Sequence, residues 1–262
     1  MLWHNLAAAC LLVLAIPVVA RQSAPSLQGA ASGRQRIVDM TYPIDGKFPA
    51  WPGDPKVFEA TVDATPEKDG YFTRAFWTIE HYGTHIDAPV HFPPGKTTVD
   101  RIAPEKLFGP AVVIDIQKEA AANADYQLTA ARIAEWEKRN GPIPEGAIVI
   151  LRTGWSSRVS DPEKFRNSDS KGTMHFPGYS LEAAGLLLQR KIHGLGTDTL
   201  SIDPGNSTDY PVHHRVLGAD TWQLENLANV NELPEKGAFI VVAPIKLVGG
   251  SGGPARVFAI LP

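Results

Sequence analysis

The stretch His81-Tyr82-Gly83-Thr84-His85-Ile86-Asp87-Ala88-Pro89-Val90-His91-Phe92 constrains the fold more than any other part of the chain. It gathers three of the eight histidines and a carboxylate within eleven residues. His81, Gly83, His85, Asp87 and His91 all occupy odd positions, whereas Ile86, Ala88 and Val90 between them are apolar. Alternate side chains of an extended chain face opposite sides, so one face would carry imidazoles and a carboxylate while the other joins a core. A helix fits poorly, because Gly83 weakens one and Pro89 breaks it. The segment reads as a strand or curved loop lining a polar site.

Distance limits what that site can be. Extended residues advance roughly 3.3 Å each, which separates His81 from Asp87 by about 20 Å in a straight strand. Metal–ligand bonds of about 2.0–2.2 Å cannot span that gap. If these residues share a metal, the chain must bend, and Gly83 and Pro89 are the suitable points. Imidazole combined with carboxylate suits zinc, manganese or iron. The competing reading, unrelated surface and core histidines, does not account for their shared parity.

The 262 residues include 44% hydrophobic and 20% charged side chains, enough apolar material for a real core, and one domain is the simplest count. A net charge of −3 and the lack of a basic stripe give no electrostatic case for nucleic acid. Leu6 to Ala20 form an apolar run, ending Val18-Val19-Ala20 before Arg21. That run is short for a membrane span and reads as a signal peptide over residues 1–20, with an uncleaved anchor as the alternative. The single cysteine, Cys10, lies inside it, so cleavage leaves no thiol chemistry and no disulfide. Export to a bacterial periplasm is the expectation, with no membrane attachment after cleavage.

Residues 21–36 are rich in Gly, Ser, Ala and Gln and read as a disordered linker. Beyond them, Ala111 to Ile116, Ala147 to Leu151, Phe239 to Ala243 and Arg256 to Leu261 read as buried or terminal strands. Thr129 and Ser180 are suited to cap helices running to about Arg139 and Arg190. Strands mixed with a few helices predict a mixed α/β domain over residues 37–262. Gly249-Gly250-Ser251-Gly252-Gly253 matches the Gly-x-Ser-x-Gly nucleophile elbow, but Pro254 follows and the last histidine is His214. A serine triad in that order is therefore impossible, and the glycines read as a backbone loop near the substrate.

The motif His-x-Gly-Thr-His-x-Asp-x-Pro-x-His-Phe resembles the signature of the metal-dependent cyclase family of hydrolases, which includes bacterial kynurenine formamidases and isatin hydrolases. Further similar segments are Trp51-Pro52-Gly53-Asp54-Pro55, Gly196 to Asp203, His213-His214-Arg215 and Leu224-Glu225-Asn226-Leu227. The resemblance spreads over residues 37–262. It implies a single-domain swivelling β/β/α-type fold with a barrel-like central sheet. It also implies His81, His85, Asp87, His213 and Glu225 as metal ligands, with the twelve-residue offset to Glu225 favouring His213 over His214. Five such ligands suit two divalent ions, Zn2+ or Mn2+, in each subunit. Related enzymes are often dimers, so a homodimer is an expectation.

His91, as an uncoordinated imidazole titrating near neutrality, is the candidate proton shuttle. A fourth ligand or a core histidine are its other readings. Trp51, Asp54 and Phe92 are candidates to contact the substrate; Phe76 and Trp77 are aromatic candidates too. For each, core packing or a local turn competes. The combined expectation is hydrolysis of a non-peptide C–N bond. Metal-bound hydroxide attacks the carbonyl and His91 moves a proton to the leaving nitrogen. N-formylkynurenine leads as substrate, followed by a cyclic aryl amide such as isatin, although export sits poorly with tryptophan catabolism. A metal-dependent lyase or cyclase and a non-enzymatic metal or ligand-binding protein are the other classes.

Overall fold

Alternation of apolar residues builds two cores on the two faces of one sheet. Ala111, Val113, Ile148 and Ile150 pack in one cluster with Ile240, Val257 and Trp222, whereas Val112, Ile114, Val149 and Leu151 join another with helix residues such as Ile133, Trp136 and Leu187. The period of two along each strand produces this division. The computed structural model describes residues 24–54 and 56–262. The segment expected to be a signal peptide, residues 1–20, lies outside the described residues.

The strands are β1 (Ile37–Asp39), β2 (Phe58–Ala64), β3 (Thr73–Thr78), β4 (His85–Asp87), β5 (Phe108–Asp115), β6 (Gln127–Leu128), β7 (Ile148–Arg152), β8 (Gly178–Tyr179), β9 (Gly194–Thr197), β10 (Trp222–Glu225), β11 (Lys236–Pro244) and β12 (Gly252–Ile260). The main sheet has the order β1-β12-β11-β5-β7-β9-β10-β4. Because β4 also pairs with β12, the sheet closes on itself, with β1 as an extra strand beside the end of β12. Within this sheet, pairs β5–β7, β7–β9 and β9–β10 are parallel and the others antiparallel. The first core cluster fills this barrel; the second lies between it and the helices. The expected mixed α/β barrel-like architecture is what the chain adopts.

Helix ends follow their caps. Thr129 Oγ1 accepts from the Arg132 N–H at 3.2 Å to start the helix Ala130–Asn140, and Gly141, at φ +89°, follows its end. Ser180 Oγ accepts from the Ala183 N–H at 3.1 Å to start the helix Leu181–Gln189. The two helices end one residue after and one before the expected limits.

Two expectations need correction. The described part of the expected linker is not structureless: Leu27–Ala31 form a short helix capped by Ser26, whose Oγ accepts from the Gly29 N–H at 2.9 Å. Composition missed this because a single cap and the Gln35 side chain, which accepts from the Ser26 N–H at 2.9 Å, secure it locally. Phe76 and Trp77 lie on the separate β2–β3 hairpin, exposed with Val62, Tyr71 and Phe72, and line no substrate cavity.

Gly194 in β9 lies against the buried Trp222 indole; a Cβ there would fall 2.3 Å from the ring. Gly194→Ala is expected to destabilise the protein by about 1–3 kcal/mol through overpacking. Urea unfolding should show a lower midpoint at unchanged slope; an unaltered midpoint would mean the indole shifts without cost. Between the helices, Arg190 donates to both Glu137 carboxylate oxygens at 2.8 and 3.0 Å. That pairing holds the Glu137 carboxyl below its ordinary value of 4.5. Its stabilisation is therefore present above that value and lost as pH falls through the lower folded value. Glu137→Gln should flatten the acid limb of a stability–pH profile, and an unchanged limb would assign the acid sensitivity elsewhere.

Candidate metal centre

Strand β4 is three residues long and is gripped on both sides. His85 pairs with Glu225 and Asp87 with Gln223 across to β10, while Pro254 and Gly252 of β12 face the same two residues on the other edge. Ile86 and Leu224 belong to the barrel core. By alternation His85, Asp87, Gln223 and Glu225 face outward together. The helix Pro211–Gly218 lies over that face and brings His213 onto it. His214, next in sequence, is exposed. The neighbouring segments bend as the spacing demanded: Gly83 has φ +67°, and Pro89 opens a 3-10 turn over Pro89–His91. These bends return His81 and His91 to the site, their rings stacked 3.8 Å apart.

The hydrogen bonds fix which imidazole nitrogens are free. His85 Nδ1 donates to the Gly83 carbonyl at 2.9 Å, so in the neutral imidazole Nε2 is the nitrogen that carries the lone pair. That buried Nε2 has no hydrogen-bond partner and faces Asp87 Oδ1 at 3.2 Å and Glu225 Oε2 at 3.5 Å. His213 Nδ1 donates to Asp203 Oδ2 at 2.6 Å, which turns its Nε2 toward Glu225 Oε1 at 3.2 Å and Asp87 Oδ2 at 3.5 Å. Asp203 also accepts from the Val212 and His213 N–H groups at 3.0 Å each, tying this ligand candidate to the start of its helix. Gln223 Nε2 donates to Asp87 Oδ2 at 3.0 Å. Asp203 and Gln223 are supporting groups that the sequence reading did not single out. Asp203 had a signal as the end of the Gly196 to Asp203 motif, and Gln223 as the alternate-face neighbour of Glu225.

The electrostatics favour positive charge at this centre. Burial opposes charge on His85, yet Asp87 and Glu225 outweigh it and raise this imidazole to about 9. Burial likewise opposes charge on His213, and Asp203, Asp87 and Glu225 raise it well above the ordinary imidazole value. Burial would raise Asp87, but His81, His213 and His85 hold it far down. Glu225 is raised by burial and then by the Asp87 charge beside it. Aligned lone pairs and carboxylates of this kind fit divalent ions, which need deprotonated ligands. Two compatible groupings, His81–Asp87–His91 and His85–Asp87–Glu225, share Asp87. The expected ligands His81, His85, Asp87, His213 and Glu225 thus converge, and His91 stands among them.

His91 departs from the expectation of a near-neutral imidazole. Burial, reinforced by the neighbouring imidazoles, pushes it down to about 4 against the opposing pull of Asp87. It is therefore a neutral base. Outside the polar cluster lies a cavity of about 410 Å3, within the range of small-molecule sites. Trp51, Asp54 and Phe92, the expected substrate contacts, all line it. Tyr210 completes the wall, with its ring 6.2 Å from Trp51 and 5.7 Å from Phe92. Among the described lining residues there is no Lys or Arg.

Residues 38–204 match the model of the Cyclase family, described as "Putative cyclase". The isatin hydrolase of Roseibium aggregatum is 36% identical over 92% of this chain and 98% of that protein. A kynurenine formamidase of Salinibacter ruber is 28% identical over 84% of this chain and 95% of its own. Among solved structures, isatin hydrolase A from Labrenzia aggregata bound to benzyl benzoate superposes with a TM-score of 0.83 at 37% identity, covering 90% of this chain and 97% of that one. A potential metal-dependent hydrolase with cyclase activity gives 0.68 at 27%, covering 87% and 98%. With the match to its model, the shared fold and the convergent histidine–carboxylate cluster, this chain belongs to the cyclase family of metal-dependent hydrolases.

Proposed function

We propose that the protein hydrolyses the amide bond of a neutral cyclic aryl amide of the isatin type. The cation-free aromatic cavity above the histidine–carboxylate cluster carries this reading. Trp51, Phe92 and Tyr210 offer faces to an aryl ring, and aromatic contacts of this kind favour planar apolar substrates. N-formylkynurenine, the leading candidate from sequence alone, carries a carboxylate for which the described lining has no Lys or Arg. Asp54 at the wall would pair with that substrate's ammonium group, which keeps the formamidase reading as the second. The sequence similarity to an isatin hydrolase over nearly the whole chain supports the first.

His81, His85, Asp87, His213 and Glu225 are the proposed metal ligands, for one or two ions of zinc or manganese. Such ions supply a polarised carbonyl and a water of lowered pKa. The protein's own contribution is positional. Asp203 holds His213 and the Gly83 carbonyl holds His85, each with a lone pair directed inward. Phe92 packs 4.7 Å from the His213 ring, and both line the cavity together with His81, His85, His91 and Glu225. His91, neutral and at the cavity wall, takes the proton released as water adds to the carbonyl carbon and passes it to the nitrogen as the C–N bond breaks. The water oxygen ends in the product carboxyl group, which releases its own proton to solvent, and the proton carried by His91 ends on the amine.

Metal-stripped protein reconstituted with zinc or manganese should open isatin with kcat/KM at least about tenfold above that for N-formylkynurenine, a margin of about 1.4 kcal/mol. In 18O-labelled water the label should enter the carboxylate. The reverse preference would establish the formamidase reading, and a product without label would point to a lyase or cyclase. His91→Ala should lower kcat by about 10²–10⁴-fold with metal affinity unchanged, as loss of a general base does. A matching fall in metal affinity would make His91 a ligand instead.

A further inference from the structure

Glu80 and Ser251 have no part in the function proposed above, yet they decide the state of His81. Ser251 sits in the glycine run Gly249–Gly253, set aside as a nucleophile motif on sequence grounds. Glu80 Oε2 accepts from the Ser251 N–H at 2.8 Å and from its hydroxyl at 2.5 Å. A carboxylate only accepts, so the one proton of the Ser251 hydroxyl is committed to Glu80. Toward His81 Nε2, 2.9 Å away, the serine oxygen is left only to accept. His81 must then carry a hydrogen on Nε2. Its Nδ1 lies 2.6 Å from Asp87 Oδ1, an acceptor that a hydrogen on Nδ1 also satisfies, so the Nε2 hydrogen is the one His81 keeps when Nδ1 is given up to a metal ion.

The glycines make this geometry attainable. A Cβ on Gly252 would lie 2.6 Å from His81 Cε1 and 2.4 Å from the Ile86 carbonyl oxygen. One on Gly250 would press on Glu80 Oε1 at 3.2 Å. The run is a backbone cradle that seats one imidazole and delivers one hydroxyl to it. His85 and His213 are oriented by other means, a carbonyl and a buried carboxylate, so His81 alone depends on this pair.

We propose that Glu80 is a positioning residue that acts through Ser251 to hold His81 as the Nε2–H tautomer, with Nδ1 presented to the metal beside Asp87. The inference rests on the metal-centre reading. Without Glu80, the serine hydroxyl is free to turn and donate to Nε2. That stabilises the opposite tautomer and places a hydrogen on the nitrogen that should bind. Groups that orient a ligand imidazole in this way typically carry 10–100-fold in metal affinity.

The test is equilibrium competition for Zn2+ between a chelator and the full protein, alongside 15N NMR of the zinc-loaded histidines. Glu80→Ala and Ser251→Ala should each weaken zinc binding by about 10–100-fold and diminish the His81 Nε2–H signal. Glu80→Gln, which retains an acceptor, should restore much of the affinity. Glu80→Ala made in the Ser251→Ala background should add almost nothing, because one pathway is already cut. Circular dichroism screens each variant for folding. Unchanged affinity and an unchanged His81 signal in folded Glu80→Ala would overturn the proposal, as would fully additive losses in the double variant. A parent protein that binds no zinc would instead overturn the metal-centre reading itself.

Discussion

The pairing of β4 with both β10 and β12 is the constraint on which the rest of this structure depends. Without it the sheet has two free edges and the barrel core opens to solvent, because Ile86 is buried between Leu224 and Gly253 in register. The same pairing sets His85 opposite Glu225 and Asp87 opposite Gln223. A slip of one residue would exchange every side chain between core and site. Barrel closure and site assembly are therefore one event: no state keeps Ile86 inside and loses the outward carboxylate–imidazole face.

That face is costly before it is useful. Two buried carboxylates share a site, and the lone pairs of His85 and His213 point at them. Each imidazole is locked by a separate anchor, the Gly83 carbonyl for one and Asp203 for the other. In a protein interior such polar groups are favourable only when fully paired. Without a metal, protons provide that pairing at neutral pH and below, which is the physical meaning of the raised affinities of His85 and His213 for them. Divalent ions do so without protonating the ligands, so metal binding and proton release are linked at this centre.

Much of this was legible in the sequence, and the residues show why. Parity located His85 and Asp87 correctly because they lie in a true strand, where alternation holds. It could not place His81 and His91, which reach the centre only because Gly83 and Pro89 break that strand; the argument from distance anticipated the bends but not their outcome. The strands of the barrel were visible as apolar runs, and two helices as runs following good caps. The partners were not visible. Asp203 meets His213 from ten residues away and Ser251 meets His81 through the β4–β12 pairing, 170 residues away in sequence, contacts set by topology rather than by local pattern. His91 was misjudged in its ionisation because burial, which lowers it, belongs to the folded state alone. The hairpin aromatics Phe76 and Trp77 were misplaced for a similar reason: composition marks an aromatic side chain as useful but not where a separate hairpin carries it.

The division of labour between strands and loops explains how one centre can serve different amides. His85, Asp87 and Glu225 stand on paired strands whose register admits no adjustment. Trp51 and Asp54 come from irregular chain ahead of β2, and Tyr210 from a residue with φ +48° before the helix Pro211–Gly218. Those cavity-lining positions carry no ladder hydrogen bonds, so their side chains can change without disturbing the barrel. Placing one cationic side chain among them would change which charge the cavity accepts while leaving the histidine–carboxylate face untouched. A frame of this kind can hold one chemistry while the side chains that line its cavity are exchanged.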